Sequence, residues 1–222
     1  MPNVRVSLSV TFTTPPSVGA GGTGGTLADK VVTRNARGAF ILPASQVRGK
    51  LRHACEQLLR ARGVPLCQPP QPERMCPHAE GVKSPCLLCR IFGAPGRPSL
   101  LRFHDLTVRD ADLLPEETLR PMVSLNRHRR TAEEQRLFLI ETAPHFNGLT
   151  FENPEAITGQ VRDERYVHVL LGGLKMLFAW GGGTSRGLGW GAVKAVAQVD
   201  GKTVEKFSRE EVEQLCQSFK SS

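Results

Sequence analysis

Several common sequence signals are missing from this 222-residue chain, and each absence excludes a class of protein. No apolar run approaches the length that crosses a bilayer, so we expect no membrane-spanning segment and no membrane partner. Residues 3–12 alternate polar and apolar side chains instead of forming the apolar block of a signal peptide. We therefore expect a cytoplasmic protein, in which cysteines bind metals or lie buried and rarely form disulfides.

The glycine-rich run at residues 181–191 lacks the features of the common nucleotide-binding loops. No Lys follows its glycines at the Walker spacing, and it follows a predicted helix near the C-terminus instead of a strand near the start of a βαβ unit. Acidic residues are in the minority, with 21 Asp and Glu against 29 Lys and Arg and a net charge of +8. Residues 30–62 contain eight basic residues and a single acid, Glu56. This balance favours an anionic partner, with nucleic acid first.

The glycine-rich run covers residues 181–191 and contains six glycines in eleven positions. Such a run is either a flexible surface turn or a loop whose backbone approaches a ligand closely. Ser185 and Arg186 lie inside it, and Trp190 lies between two glycines. Hydroxyls, backbone N–H groups and a guanidinium together suit a phosphate backbone, and an exposed aromatic ring suits a nucleic-acid base.

Apolar periodicity predicts an α+β fold with a mostly antiparallel sheet, in a single domain over residues 1–222. A helix is predicted from Gln46 to about Arg62, with Ser45 as its cap, and Ser208 is predicted to cap a final helix. A loop is predicted over 13–26 and a short helix or loop over 110–120. Further strands and one further helix are predicted over residues 3–12, 100–108, 137–142 and 192–199 (strands) and 166–179 (helix).

Residues 64–99 are rich in Pro and Cys and show no periodicity, which indicates an insertion organised by something other than a core. Cys86 and Cys89 have the C-x-x-C spacing that binds one tetrahedral zinc. Cys67 and Cys76 complete a candidate structural zinc site, with His78 as an alternative to Cys76. A redox C-x-x-C is the alternative interpretation, but such motifs open a helix after a core strand. The two remaining cysteines, Cys55 and Cys216, lie on apolar helical stripes and are predicted to be core residues.

Asp29 follows a glycine-rich stretch and stands beside Lys30. A lone Asp is usually a turn or cap residue, whereas among cations it can bind a divalent ion or assist proton transfer. The basic run at Arg127, Arg129 and Arg130 is either solvated surface or a clamp on nucleic-acid phosphates. The histidines without an evident partner are taken as structural or surface residues: His53, His104, His145 and His168.

Five motifs occur in a fixed order along the chain. They are Asp29-x-Val-Val-x-Arg34, Phe40-Ile-Leu-Pro-x-Ser45-x-Val-Arg48-Gly-Lys50-Leu-Arg52, Cys86-x-x-Cys89-x-x-Phe92-Gly93, Asn126-Arg127 to Glu141-Thr-Ala-Pro144, and Gly181-Gly-Gly-Thr-Ser-Arg186-Gly-Leu-Gly189. In this combination the chain resembles the RAMP superfamily of CRISPR proteins, and specifically the repeated backbone subunit of type III effector complexes.

The resemblance implies a modified RRM-like (ferredoxin-like) palm with a zinc-stapled insertion at about 64–99 and a thumb-like segment at about 110–140. It implies CRISPR RNA, single-stranded target RNA, further copies of the chain and other effector subunits as partners. The residues expected to bind RNA are Arg34, Ser45, Arg48, Lys50, Arg52, Arg127, Arg129, Arg130, Gly183, Ser185 and Arg186. The thumb would interrupt the guide–target duplex and flip out a nucleotide.

The resemblance also places Asp29 at the catalytic aspartate of the family. It implies cleavage of guide-complementary RNA with Mg²⁺ or Mn²⁺, the ribose hydroxyl of the flipped nucleotide being the nucleophile. Gln46 and Val47 depart from the small and basic residues usual at that helix start. The sequence shows no second carboxylate near Asp29, so a metal there would take ligands from RNA phosphates or a neighbouring subunit.

Three alternatives stay open at this point. The chain could be the same scaffold without nuclease activity, or the guide-processing endoribonuclease of the superfamily. That enzyme usually depends on an early histidine, whereas the first one here is His53, inside a predicted helix. The third alternative is a zinc-stabilised RNA-binding module unrelated to CRISPR.

Overall fold

The alternating segment near the N-terminus forms strand β1, Asn3–Phe12, around which the fold is organised. The computed structural model describes residues 1–19, 28–81, 85–108, 118–144, 148–204 and 206–220. The even-numbered side chains of β1 are buried, each at most 3% exposed: Val4, Val6, Leu8, Val10 and Phe12. Successive strand residues point to opposite faces, so one face of the sheet is covered and the other is open.

In the described residues, β1 lies inside a seven-stranded sheet whose paired strands are all antiparallel. It pairs with β7, Thr150–Gln160, on one side and with β8, Gly191–Val199, on the other. The sheet continues beyond them with β2 (Ile41–Leu42), β3 (Leu101–Phe103), β4 (Leu106–Val108) and β9 (Lys202–Val204). The predicted α+β class with an antiparallel sheet is therefore confirmed.

Four α-helices accompany the sheet in this part of the chain: α1 (Ala44–Arg60), α2 (Leu87–Phe92), α3 (Arg165–Lys175) and α4 (Arg209–Lys220). Helices α1 and α3 approach closely where α3 has a glycine. A Cβ added to Gly173 would lie 2.6 Å from Sγ of Cys55 on α1, so any larger residue would push the helices apart.

The ends of the helices differ in part from the prediction. Pro43 precedes the first turn of α1 and no side chain caps it, so the predicted Ser45 cap is wrong; Ser45 lies inside the helix. Helix α3 ends before the predicted residue 179 because Ala179 pairs with Trp190 in an isolated β-bridge. The predicted cap of α4 is confirmed, since the N–H of Glu211 donates to Ser208 Oγ at 3.3 Å.

The Cys-rich insertion shares the main core, contrary to the expectation that it is organised without one. Its apolar residues, including Leu66, Leu87, Leu88, Ile91 and Phe92, are buried in the same cluster as β1 and α1. Residues 64–99 are therefore packed against β1 and α1 through apolar residues and through the buried cysteines of the same cluster.

A second, two-stranded sheet consists of β5, Thr118–Asn126, and β6, Thr131–Thr142, joined by a tight turn. Residues 119 and 131–137 are exposed, and the pairing shifts register between Val123 and Leu125. At about 3.3 Å per residue, β5 is about 30 Å long. Thr118 to Arg120 is strand and not the predicted helix or loop, and residues 109–117 lie outside the described residues.

Strand β7 is absent from the sequence-based prediction. Its apolar residues do not alternate regularly, because the register against β1 shifts between Val6 and Leu8 and the burial pattern changes phase. Pro154 and Gly159 add to this, because both residue types are more typical of loops than of strand interiors. The strand predicted over 100–108 is likewise divided into β3 and β4.

Candidate nucleic-acid interface and cysteine cluster

A buried carboxylate, Glu141 on β6, joins the N-terminal segment to the root of the hairpin. It is 6% exposed, and its Oε1 accepts a hydrogen bond from Arg34 Nη2 at 2.7 Å. Its Oε2 accepts the N–H of Val32 at 2.9 Å. Its backbone N–H donates to the carbonyl of Lys30, and its carbonyl accepts the hydroxyl of Ser17. These charge-assisted bonds fix residues 30–34 against β6.

Arg34, expected to bind RNA, is engaged within the protein. Besides its ion pair with Glu141, its guanidinium lies 4.1 Å from the ring centroid of Phe40 and donates to the carbonyl of Gly38. Its side chain is 31% exposed. The structure thus gives Arg34 a positioning role within this segment.

Asp29 is held at the surface by a reciprocal pair of bonds to one residue of β6. Its N–H donates to the carbonyl of Leu139 at 3.0 Å, and its Oδ2 accepts the N–H of Leu139 at 2.8 Å. Within the described residues, Oδ1 has no hydrogen-bond partner, and the residue is exposed. The neighbouring Lys30 forms a parallel bridge to Ile140 and is also exposed. One carboxylate oxygen is therefore oriented by the backbone and the other faces outward.

The glycine-rich loop is hydrogen-bonded to residues 15–17, the segment that also contacts Glu141. The N–H of Gly182 donates to the carbonyl of Ser17 at 2.7 Å, and the N–H of Gly189 donates to the carbonyl of Pro15 at 3.0 Å. Since the hydroxyl of Ser17 also donates to Glu141, residues 15–17 lie between the loop and the Asp29 support. Three segments that are far apart in sequence are thereby brought together.

At two glycines of this loop, backbone carbonyl oxygens come closer than any side chain would allow. A Cβ at Gly181 would lie 2.4 Å from the carbonyl oxygen of Ser17, and one at Gly189 would lie 1.9 Å from that of Trp180. Both glycines also have positive φ, 76° and 68°. The glycines are thus required by the close backbone packing of the loop, which is consistent with a shaped loop and not with a loose turn.

The outer surface of the loop carries the polar groups. Gly183 adopts a left-handed conformation, and the turn Thr184–Arg186 that follows is a short 3₁₀ helix. Ser185 and Arg186 are exposed, and the guanidinium carbon of Arg186 lies 5.8 Å from the ring centroid of Phe138 on β6. This cation–π contact links the loop to the same strand that holds Asp29.

Arg48 and Arg52, predicted to bind RNA, reach from α1 to the end of α2. Arg48 Nη2 donates to the carbonyl of Phe92 at 2.6 Å, and Arg52 Nη1 donates to that of Gly93 at 3.2 Å. Cations at a helix C-terminus satisfy its free carbonyls and interact favourably with its dipole. Both arginines therefore fasten the Cys-rich insertion to α1, although Arg48 remains exposed.

The other two predicted contacts on α1 have no polar partner in the described structure. Ser45 is exposed in the first turn, and Lys50 is half-buried, where burial lowers the pKa of its ammonium group. The described contacts do not connect Ser45, Arg48, Lys50 or Arg52 to the glycine-rich loop.

The basic residues of the hairpin lie at its tip. Arg127, Arg129 and Arg130 are all exposed in the turn between β5 and β6, and Arg130 has a φ of 55°. The side chain of Asn126 shapes the turn by accepting the N–H groups of residues 128 and 129. The three guanidinium groups have no ion-pair partner in the described residues, so they are available to an anionic partner.

The four cysteines of the insertion converge, with all Sγ atoms within 4.8 Å of one another. Sγ of Cys67 lies 3.5 Å from that of Cys89 and 3.7 Å from that of Cys86. Tetrahedral Zn–S bonds of about 2.3 Å place sulfurs about 3.8 Å apart, so these residues fit a zinc ion. Cys76 belongs to the cluster, whereas His78 is exposed and outside it. The donor set can bind a metal such as zinc.

The surroundings of the cluster distinguish its thiols. A hydrogen bond from the Cys89 side chain lowers the pKa of Cys86 to about 5. Burial raises the pKa of Cys76 to about 11. The pKa of Cys89 is also raised, because its own side chain is hydrogen-bonded to Cys86. Arg52 Nη2 lies 3.8 Å from Sγ of Cys89, where its charge offsets the negative charge of thiolates.

Cys55 and Cys216 are buried in the core, away from the four-cysteine cluster, and burial raises the pKa of each thiol. All six cysteines are free thiols. The core positions predicted for these two residues are confirmed.

A comparison with protein-family models matches residues 9–194 to the RAMP superfamily. The chain belongs to the RAMP superfamily. A comparison with curated proteins gave no match. RAMP proteins are CRISPR-associated RNA-binding subunits, and some of them are ribonucleases, so CRISPR RNA and an effector complex are the partners that membership implies. The part of the RAMP chain that the structure describes contains no helix long and apolar enough to cross a membrane.

Sequence reasoning missed Glu141 and Ser17 as supports of the RAMP site. Glu141 is 107 residues from Arg34 and 124 from Ser17, so no local spacing points to either contact. Glu141 is a carboxylate on the same strand as Leu139, the partner of Asp29, and both of its oxygens already accept hydrogen bonds. The signal available was its place in the Glu141-Thr-Ala-Pro144 motif.

Proposed function

We propose that this RAMP chain is a backbone subunit of a type III CRISPR effector complex that binds CRISPR RNA and cleaves guide-complementary target RNA. The observation that carries the proposal is Asp29, whose Oδ2 is fixed by the N–H of Leu139 while Oδ1 faces outward. The order of the five sequence motifs supports the type III assignment, because the Ser45 helix start and the C-terminal glycine-rich loop occur together.

The topology supports an RRM-like palm. Helix α1 follows β1, helix α3 follows β7, and the central strands lie in the order β4–β7–β1–β8. A ferredoxin-like βαββαβ unit has this alternation of strands and helices. In the proposal the β5–β6 hairpin is the thumb, and residues 64–99 are the insertion fastened to the palm.

The guide RNA would follow the cationic surfaces that have free donors. Ser185 and Arg186 on the glycine-rich loop and Lys50 on α1 would contact phosphates, and the arginines at the hairpin tip would contact the duplex. Arg34, Arg48 and Arg52 would act mainly by holding these surfaces in place, since each already donates to protein acceptors.

Asp29 would act on the ribose 2′-hydroxyl of a flipped target nucleotide. Its outward oxygen would accept the hydroxyl proton while the 2′-oxygen attacks the adjacent phosphorus. The 5′-oxygen of the next nucleotide would leave and take a proton from water, so the products are a 2′,3′-cyclic phosphate and a 5′-hydroxyl end. The bond from Leu139 keeps the carboxylate oriented during this transfer.

In an alternative to the role of general base, Asp29 would help to hold Mg²⁺ or Mn²⁺. A single carboxylate supplemented by substrate phosphates is a usual way to hold Mg²⁺, and Asp29 would be the protein ligand. Such an ion would stabilise negative charge on the phosphate. Glu141 would not be a ligand, because Arg34 and Val32 already occupy its oxygens.

The test is cleavage of a guide-complementary RNA by the reconstituted complex carrying Asp29→Ala or Asp29→Asn. Removing a general base typically lowers the rate by about 10²- to 10⁴-fold, and we expect cuts at regular spacing, with Mg²⁺, to disappear in both variants. Target binding should stay unchanged.

Asp200→Ala is the matched control, because Asp200 is also exposed and also accepts a backbone N–H, from Asn3 at 2.8 Å. It should cleave as the wild type does. Full cleavage by the Asp29 variants would show that the catalytic assignment is wrong, and an uncut target in every sample with tight binding retained would identify a scaffold.

A further inference from the structure

An exposed aromatic pair lies at the foot of the glycine-rich loop. Phe178 is 61% exposed and Trp190 is 46% exposed, with ring centroids 5.5 Å apart and planes inclined by 59°. Among the residues that the structure describes, no other aromatic side chain is exposed to this extent. Exposed large apolar groups that touch one another are typical of binding surfaces.

The rings are held in place before any ligand arrives. Backbone bonds between residues 178–180 and 189–191 close the loop, including the N–H of Gly191 to the carbonyl of Phe178 at 2.9 Å. The indole Nε1–H of Trp190 donates to the carbonyl of Thr184 at 2.9 Å, within the loop itself. Because this donor is already used, the exposed part of the indole offers a ring face and no free hydrogen-bond donor.

The charges around the pair favour an anionic chain over an apolar protein surface. Arg186 lies in the same loop and is exposed. Lys175 ends α3 three residues before Phe178 and is exposed, with its Nζ 5.8 Å from the ring centroid of Phe207. Lys194 is exposed on β8, four residues after Trp190. Aromatic faces beside cations that track a phosphate backbone are the usual combination in single-stranded nucleic-acid sites. Stacking on such rings tolerates any base, as a guide of variable sequence requires.

We propose that Phe178 and Trp190 form a stacking platform for one unpaired RNA base, with the adjacent phosphates on Arg186 and Lys175. This inference rests on the proposed RNA-binding function and deepens it. The platform supplies contact with the base independently of sequence, whereas the cations supply the electrostatic attraction. The two contributions are separable by experiment because only the second depends on salt.

The experiment is titration of the full chain with a single-stranded RNA of roughly twelve adenosines, followed by tryptophan emission. The chain has two tryptophans, and Trp180 is 0% exposed, so quenching by RNA reports on Trp190. We expect quenching in the wild type and none in Trp190→Phe, which retains a ring and should bind within about threefold of wild type.

Truncation separates stacking from charge. Trp190→Ala and Phe178→Ala should each weaken binding by roughly 5- to 100-fold, with the salt slope unchanged. Arg186→Gln should lower the salt slope by about 0.7 with quenching retained. Val196→Ala is the matched control, since Val196 is an exposed apolar residue on β8, 39% exposed, away from the loop; it should bind as the wild type does.

Several outcomes would overturn the inference. If both alanine variants bind RNA with wild-type affinity and show a native thermal transition, the stacking platform is contradicted, whereas RNA binding itself is not. A loss of self-association in Trp190→Ala by sedimentation, with RNA affinity unchanged, would identify a protein–protein surface instead. If the wild type binds no RNA at low salt, RNA binding itself is wrong and both proposals fall.

Discussion

Glu141 receives hydrogen bonds from two separate segments, residues 17 and 32–34, while its own strand holds Asp29. A buried carboxylate with both oxygens satisfied is stable only as long as its partners stay in place. The Arg34–Glu141 pair is therefore a structural condition for the position of Asp29, which lies five residues before Arg34 and is hydrogen-bonded to Leu139, two residues before Glu141. The contacts that position Asp29 are thus made by other residues than Asp29 itself.

We predict that Arg34→Ala lowers the free energy of unfolding by about 2 kcal/mol, because it leaves the buried Glu141 short of a partner; partial exposure of Arg34 keeps the cost below that of a fully buried pair. Urea denaturation measures the change. Arg5→Ala is the control, since the Arg5–Glu155 pair has side chains 60% and 53% exposed and should contribute less than about 1 kcal/mol. Equal effects in the two variants would contradict the prediction.

Three kinds of contact hold the Cys-rich insertion in place. Its apolar residues join the core, Arg48 and Arg52 bind the carbonyls that end α2, and the four cysteines draw its loops together. A structural zinc would connect Cys67, before the irregular segment, with Cys89 inside α2. Because Arg52 contacts Cys89 as well, the insertion and α1 would respond to the metal together.

We predict one zinc per chain and a loss of stability when it is removed. Cys86→Ser should release the metal and lower the melting temperature by several degrees, because the loops then lack their link. Elemental analysis and thermal unfolding measure both effects, and Cys216→Ser, a buried cysteine outside the cluster, should keep its zinc.

Acid should release the metal, since protons compete for the sulfurs. In the metal-free chain the hydrogen bond from the Cys89 side chain lowers the pKa of Cys86 to about 5, so the stability that this thiolate contributes there is present above its ordinary pKa and is lost as the pH falls through about 5. Zinc retained by Cys86→Ser would contradict the assignment.

Positive charge is spread over several separate surfaces of the molecule. The net charge is +8, and exposed cations occur on the glycine-rich loop, on α1 and at the exposed tip of the β5–β6 hairpin. A long anionic ligand can touch all of these surfaces, whereas a small anion can touch only one. The whole molecule is therefore suited to an extended polyanion.

We predict that replacing Arg127, Arg129 and Arg130 together by Gln weakens RNA binding. The slope of log affinity against log salt concentration should fall in magnitude by up to about 2, at about 0.7 per lost phosphate contact. The melting temperature should not change, because the three side chains are exposed and unpaired within the described structure. The control variant has Gln in place of Lys202, Lys206 and Lys220, which removes the same charge elsewhere on the exposed surface. An equal loss of affinity in that control would mean that net charge alone binds RNA.

Local patterns accounted for the elements whose burial is regular. The alternation of β1, the apolar stripe of α1 and the Ser208 cap of α4 are each legible within a few turns or residues of chain. Strand β7 was not predicted because a bulge interrupts its alternation, and β5 was not predicted because most of the hairpin is exposed. An element without one consistently buried face shows no regular apolar period in its sequence.

Residue types in a fixed order were enough to indicate the RAMP family, the α+β class and the four clustered cysteines. Other contacts became visible only in the folded chain: Glu141 supports the Asp29 segment, Cys76 and not His78 joins the cluster, and Phe178 contacts Trp190. Contacts of that kind join residues whose separation in the chain carries no information about their separation in space, so they follow from strand register and helix packing alone.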